Sequence, residues 1–183
     1  MYKVNVGQPL KKIITDVIDL NERDDFEGVL SYLTNITENP GDVIASMPKF
    51  DCEEVLLYVD EDVTVYYIAT TPNILYPPHE HGMVAISALY KGTETHVFYD
   101  RFIENDMECV TERSRVTFEA PAVVDMDANV VHAICTSDNQ PNEGLHFYFG
   151  DLEGQQRKLW DISGDNPRQY IHEDYLKSSR ELT

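Results

Sequence analysis

Pro77-Pro78-His79-Glu80-His81-Gly82 is the stretch on which the reading of the whole chain turns. His79 and His81 stand one residue apart at the mouth of a strand, and the two-residue period of extended backbone sends both side chains to one face, toward a barrel interior. Two imidazoles on one face make a bidentate grip for a metal ion. Such pairs also occur on solvent faces, so a third ligand is needed. His132, in Asn129-Val130-Val131-His132-Ala133, supplies it from a strand far along the chain. A rolled sheet can set that strand opposite the first pair and leave open positions for small molecules. Three neutral imidazoles suit Fe(II), zinc, copper or nickel.

Around this motif the sequence is a succession of short segments rich in Val, Ile, Thr, Tyr and Phe: Glu54–Val59, Val63–Thr70, Met83–Tyr90, Glu94–Tyr99, Arg115–Phe118, Ala122–Asp125, Val130–Cys135 and Gly144–Phe149. Asp60-Glu61-Asp62, Lys91-Gly92-Thr93 and Asp138-Asn139-Gln140-Pro141-Asn142 punctuate them as turns. No helix-length crossover separates these strands, so they predict an all-β sandwich or barrel rather than a parallel sheet. Upstream, Leu10, Ile13, Ile14, Val17 and Ile18, then Phe26, Val29, Leu30 and Leu33, recur at helical spacing and predict two or three short helices between Pro9 and Pro48. Asp42 is placed to cap the last of them, which should run through Met47. The expected organisation is one domain over residues 1–183. It comprises a helical cap (1–50), a β-barrel (51–153) and a C-terminal wrap (154–183) with a short final helix.

The chain carries 14 Lys+Arg against 33 Asp+Glu, a formal charge of −19. So negative a field repels phosphate backbones and anionic lipid, and no basic cluster offsets it, so neither nucleic acid nor membrane is an expected partner. The N-terminus MYKVNVGQPLKK has no apolar export region, no run approaches the roughly 20 residues needed to span a bilayer, and a cytoplasmic protein is expected. Cys52, Cys109 and Cys135 are an odd set without Cys-x-x-Cys spacing, which predicts free thiols.

The stretch Pro77–Gly82, followed by an apolar strand to Tyr90-Lys91-Gly92, resembles the first motif of a cupin, a double-stranded β-helix barrel. The acidic ligand usual after the second His is missing, as in the cysteine dioxygenase branch, which uses three His. The 51-residue interval from His81 to His132 and the run Gly144-Leu145-His146-Phe147-Tyr148 are similar to that branch, where a Ser-x-His-x-Tyr run places a His and a Tyr beside the iron. Phe149-Gly150-Asp151-Leu152 continues as in bacterial members. The resemblance spans about Val55 to Trp160. It implies Fe(II) held by His79, His81 and His132, with His146 and Tyr148 close by. Residues 146 and 148 alternate onto one face, so an imidazole there can orient a phenol.

The sequence departs from that pattern in three places. Gly144 replaces the Ser, so His146 must find another partner. Met83 to Ile86 contain no Cys of the kind that cross-links to the Tyr in animal enzymes, so Tyr148 is expected to be an unmodified phenol. Cys52 to Tyr67, where cysteine dioxygenases place their carboxylate-binding Arg, holds acids and no Arg or Lys. In the related bacterial 3-mercaptopropionate dioxygenases the Arg follows the His-x-Tyr run, and Arg157 stands in a matching place. Its guanidinium is suited to bind both oxygens of a carboxylate. A solvated loop charge is the plainer reading of Arg157, and Arg101 is the fallback clamp. His96 and His172 read as surface residues. The resemblance implies an Fe(II) thiol dioxygenase taking O₂ and a small thiol carboxylate such as cysteine or 3-mercaptopropionate; a clamp moved from the strand before His79 to Arg157 then leaves no ammonium group required for binding. A three-His cupin acting on a non-thiol substrate, or a metal- or ligand-binding cupin without activity, are the alternatives.

Overall fold

The computed structural model describes residues 1–50, 53–136 and 141–182. Cys52 and residues 138–140 of the expected turn lie outside the described residues. Among the described residues no helix is long and apolar enough to cross a membrane.

Three helices open the chain: α1 (Gln8–Asn21), α2 (Phe26–Glu38) and α3 (Gly41–Ser46). Leu10, Ile13, Ile14 and Val17 bury one stripe of α1, as their spacing predicts, and Asp25 caps α2 by accepting the Gly28 N–H at 2.9 Å. The expected cap of α3 is not formed. Asp42 lies inside the first turn behind Pro40 and makes no side-chain cap, and the helix stops at Ser46.

The strands follow in chain order as β1 (Glu54–Val59), β2 (Thr64–Ile68), β3 (Ile74–Leu75), β4 (His79–Glu80), β5 (Ala85–Lys91), β6 (Thr93–Glu104), β7 (Met107–Glu119), β8 (Ala122–Met126), β9 (Val131–Cys135), β10 (Glu143–Tyr148), β11 (Lys158–Leu159) and β12 (Arg168–Gln169). A short helix, α4 (His172–Lys177), and β13 (Arg180–Glu181) complete the C-terminal wrap. One sheet has the order β1-β2-β10-β5-β8. In the other, β9 lies between β6 on one side and β3 and β4 on the other, while β11 joins β4 and β7 extends β6. From β4 to β11 the described strands pass back and forth between the two sheets, pausing at the β6–β7 hairpin. This antiparallel double winding is the jelly-roll-like plan of the cupin barrel.

The hairpin corrects one expectation. Segments read as Glu94–Tyr99 and Arg115–Phe118 belong to strands of 12 and 13 residues joined by Asn105 and Asp106, both with positive φ (51° and 63°). Positive φ at both loop residues is what a tight hairpin turn needs, and Asn and Asp tolerate it. The outer half of the ladder is exposed, so its charged side chains imitate a loop in the sequence.

Alternation along β10 positions the site. Leu145 and Phe147 point outward and are buried with Ile86, Val65 and the helical residues Leu10, Ile14, Val29 and Leu33. Each such buried side chain contributes roughly 1.5–3 kcal/mol. His146 and Tyr148 therefore face the opposite way, into the barrel.

Candidate metal centre

Strands β4 and β9 pair so that His79 lies directly opposite His132. Glu80, between the two histidines, holds the two-residue β4 from outside: it accepts the Lys158 N–H at 2.8 Å and Arg101 Nη2 at 2.6 Å. His81 follows the strand, and Gly82 turns the chain at φ +71°, where an added Cβ would stand 2.6 Å from Gln155 Nε2. The three imidazoles converge, with one nitrogen of each lying within 4.8 Å of the others. Nε2 of His81 and Nε2 of His132 are 3.3 Å apart. Two nitrogens bonded to one ion at about 2.1 Å and meeting at about 100° stand about 3.3 Å apart, so the donors fit a metal.

All three rings are buried, and burial is the leading reason each stays neutral. It takes His79 down to about 3, helped by the Arg157 charge and opposed by the Pro77 carbonyl, and pulls His81 and His132 well below the ordinary histidine value. A neutral ring is the ligating form. His79 Nδ1 lies 3.1 Å from the Pro77 carbonyl and donates to it, which leaves Nε2 for a metal.

The Tyr148 ring lies 4.9 Å from that of His81, and burial raises its phenol well above the ordinary tyrosine value. His146, 6.4 Å from the Tyr148 ring, is buried and pulled to about 4. The hydroxyl that Gly144 cannot supply comes from Ser87 on β5. It is paired across the ladder with His146, and its Oγ lies 3.1 Å from His146 Nε2.

His96 is corrected outright. Far from a surface residue, it is 0% exposed, with Nε2 at 2.7 Å from Glu94 Oε1 and Nδ1 at 3.3 Å from His132 Nδ1. Glu94 is also buried. It accepts from Ser87 Oγ at 3.2 Å and from Asn142 Nδ2 at 2.9 Å. Burial pushes the Glu94 carboxyl up, but the His96 ring bonded to it, His146 and the Asn142 amide outweigh that and hold it at about 2. The usable signal was the two-residue alternation Glu94-x-His96, which puts both on the interior face. His172 is half exposed, as expected, 3.9 Å from Glu54.

The three histidines share a cavity of about 30 Å³ with His146, Tyr148, Tyr170, Tyr175, Glu54 and Arg157. Glu54, Leu152, Arg157 and Tyr170 also line a cleft of about 480 Å³ that opens outward. Arg157 stacks on the Tyr170 ring, 3.4 Å from its centre. Arg101, Arg113, Arg115 and Arg168 are engaged in ion pairs, whereas Arg157 makes none among the described residues. Arg101 is not brought to the histidines. It pairs with Glu80 and Glu108 outside the sheet and lines a separate cleft. Glu54, read in the sequence only as one of several acids, is the other charged group on the cavity wall.

No protein-family model matches the chain, and no curated protein matches it. Among solved structures it is similar to an RmlC-like cupin with a double-stranded β-helix fold from Methanocaldococcus jannaschii, at 16% identity over 58% of this chain and 90% of that one, with a TM-score of 0.45. A cupin superfamily protein from Desulfitobacterium hafniense overlaps at 12% identity over 57% and 84% of the two chains, with a TM-score of 0.43. The DMSP lyase of Ruegeria pomeroyi overlaps at 19% identity over 54% and 44%, with a TM-score of 0.42. Strand order, not these partial overlaps, establishes the cupin plan here.

Proposed function

We propose that this chain is a mononuclear non-haem Fe(II) thiol dioxygenase, converting a small thiol carboxylate and O₂ to the sulfinate (RSH + O₂ → RSO₂H). One observation carries the reading: three neutral, buried imidazoles share a cavity with an arginine that forms no ion pair within 4.0 Å among the described residues. A bound Fe(II) ion would bind the thiol sulfur, lower its pKa and activate dioxygen. Its ligands would be His79, His81 and His132.

The chain's own residues do the rest. Arg157, its plane fixed on Tyr170, binds the substrate carboxylate through two N–H donors, so substrate is held at both sulfur and carboxylate. The Tyr148 phenol keeps its proton at any physiological pH and donates it as a hydrogen bond toward the reacting atoms. Tyr175, Ile68 and Leu152 wall the cavity and exclude water. Iron-loaded protein incubated with ¹⁸O₂ and a thiol acid tests the reading: both labelled atoms should appear in one sulfinate. A disulfide, or a sulfinate with solvent oxygen, would refute it.

A further inference from the structure

Glu94, His96, Ser87 and Asn142 form a buried polar layer behind the histidines, and the roles assigned so far leave it unused. We propose that Glu94 is a positioning residue whose single carboxylate sets the tautomers of both the ligand His132 and His146. The part concerning His132 rests on the three-histidine metal reading.

Hydrogen-bond direction follows from one end of the chain to the other. Glu94 has three neighbours within bonding distance, His96 Nε2 at 2.7 Å, Ser87 Oγ at 3.2 Å and Asn142 Nδ2 at 2.9 Å. An amide nitrogen can only donate, and an ionised carboxylate can only accept. Asn142 is itself oriented, because its Oδ1 accepts the Thr70 N–H at 2.8 Å and the Thr70 hydroxyl at 2.7 Å. Glu94 therefore accepts a hydrogen bond from His96 Nε2–H, and in the neutral ring Nδ1 is then the acceptor. Among the described residues its hydrogen-bonding neighbour is His132 Nδ1, at 3.3 Å. His132 must carry its proton there, and its Nε2 is bare toward the other ligands.

The second branch runs through Ser87. A hydroxyl has one proton, and Glu94 takes it. Ser87 Oγ can then only accept from His146 Nε2, at 3.1 Å. His146 is held as the Nε2–H form, with Nδ1 bare. Glu94 and His96 share a face of β6 and His96 lies diagonally across the ladder from His132, while Ser87 and His146 face each other on β5 and β10. One buried charge thus locks two rings from the two sheets, and each polar group of the layer has a hydrogen-bond partner, as burial demands.

Long-range ¹H–¹⁵N correlation of the metal-free protein at neutral pH reads the tautomers directly. The expected pattern is His132 protonated on Nδ1, with His96 and His146 on Nε2. His132 protonated on Nε2, or His146 on Nδ1, overturns the proposal. Titration with Co(II) alone provides the second readout. Glu94→Gln, whose amide can instead donate to His96 Nε2 and reverse the chain, and His96→Phe should each weaken binding about 10- to 100-fold, with a shifted Co(II) absorption spectrum. Wild-type affinity and spectrum in both variants would overturn the relay while leaving the metal site standing. A wild type that binds no Co(II) removes the metal reading and the His132 branch, and the tautomers then decide the His146 branch. If Glu94→Gln does not fold, the wild-type tautomers still decide.

Discussion

His81 Nε2 and His132 Nε2 come within 3.3 Å of each other across an interval of 51 residues. Nothing local creates that approach. It follows from the pairing of β4 with β9, which puts His79 opposite His132, and from the two-residue alternation that sends His81 to the same face as His79.

Replacing His79, His81 or His132 singly by Ala should sharply lower bound iron and leave the barrel folded, because the apolar strands and helices rather than the metal supply most of the stability. Metal analysis alongside circular dichroism checks this. Unchanged iron in all three variants would place the site elsewhere.

Tyr148→Phe removes only a hydroxyl. Iron content should hold while turnover at saturating thiol and oxygen falls, and equal turnover would show that the phenol takes no part.

Arg157→Ala should cost a thiol acid about 1–3 kcal/mol in kcat/KM, the scale of a charge-assisted hydrogen-bonded contact. Cysteamine, which has no carboxylate, should be indifferent. The Glu54 carboxylate on the same wall adds a selective effect that the sequence did not show: Glu54→Gln should lower kcat/KM for cysteine more than for amine-free 3-mercaptopropionate. Parallel kinetics on the two substrates check both statements, and equal losses on the two would remove Glu54 from substrate discrimination.

Acid should destabilise the metal-free protein. His79 and His146 stay neutral in the fold down to about 3 and about 4, while the unfolded chain protonates them near 6.5. Below about 6.5 the unfolded state therefore binds more protons, and stability falls by up to about 1.4 kcal/mol per pH unit for each ring until the folded values are reached. The urea midpoint should be lower at pH 5.5 than at pH 7.5, and an equal or higher midpoint at pH 5.5 would contradict the neutral, buried state of these rings.

The three-histidine cluster was legible because period-2 geometry makes His79-x-His81 a one-face pair and an apolar strand frames His132. The layer behind it was not. His96 sits in a ladder whose outer half carries exposed charges, and a buried carboxylate such as Glu94 reveals itself only through its partners, which come from β5, from β6 itself and from the loop before β10. Ser87 looks like one small residue in an apolar strand until the β5–β10 register sets it against His146. Arg157 and Glu54 line one cavity, with β11 following Arg157 and pairing onto β4, a long-range fact that neither local sequence carries.

The most direct measurement is oxygen uptake by iron-loaded protein in an oxygen electrode, with cysteine, 3-mercaptopropionate, mercaptosuccinate and cysteamine offered in turn. The thiol dioxygenase reading predicts thiol-dependent uptake without added reductant, one O₂ per sulfinate formed, fastest with a carboxylate-bearing thiol. Protein that holds iron at His79, His81 and His132 yet consumes no oxygen with any thiol would contradict it.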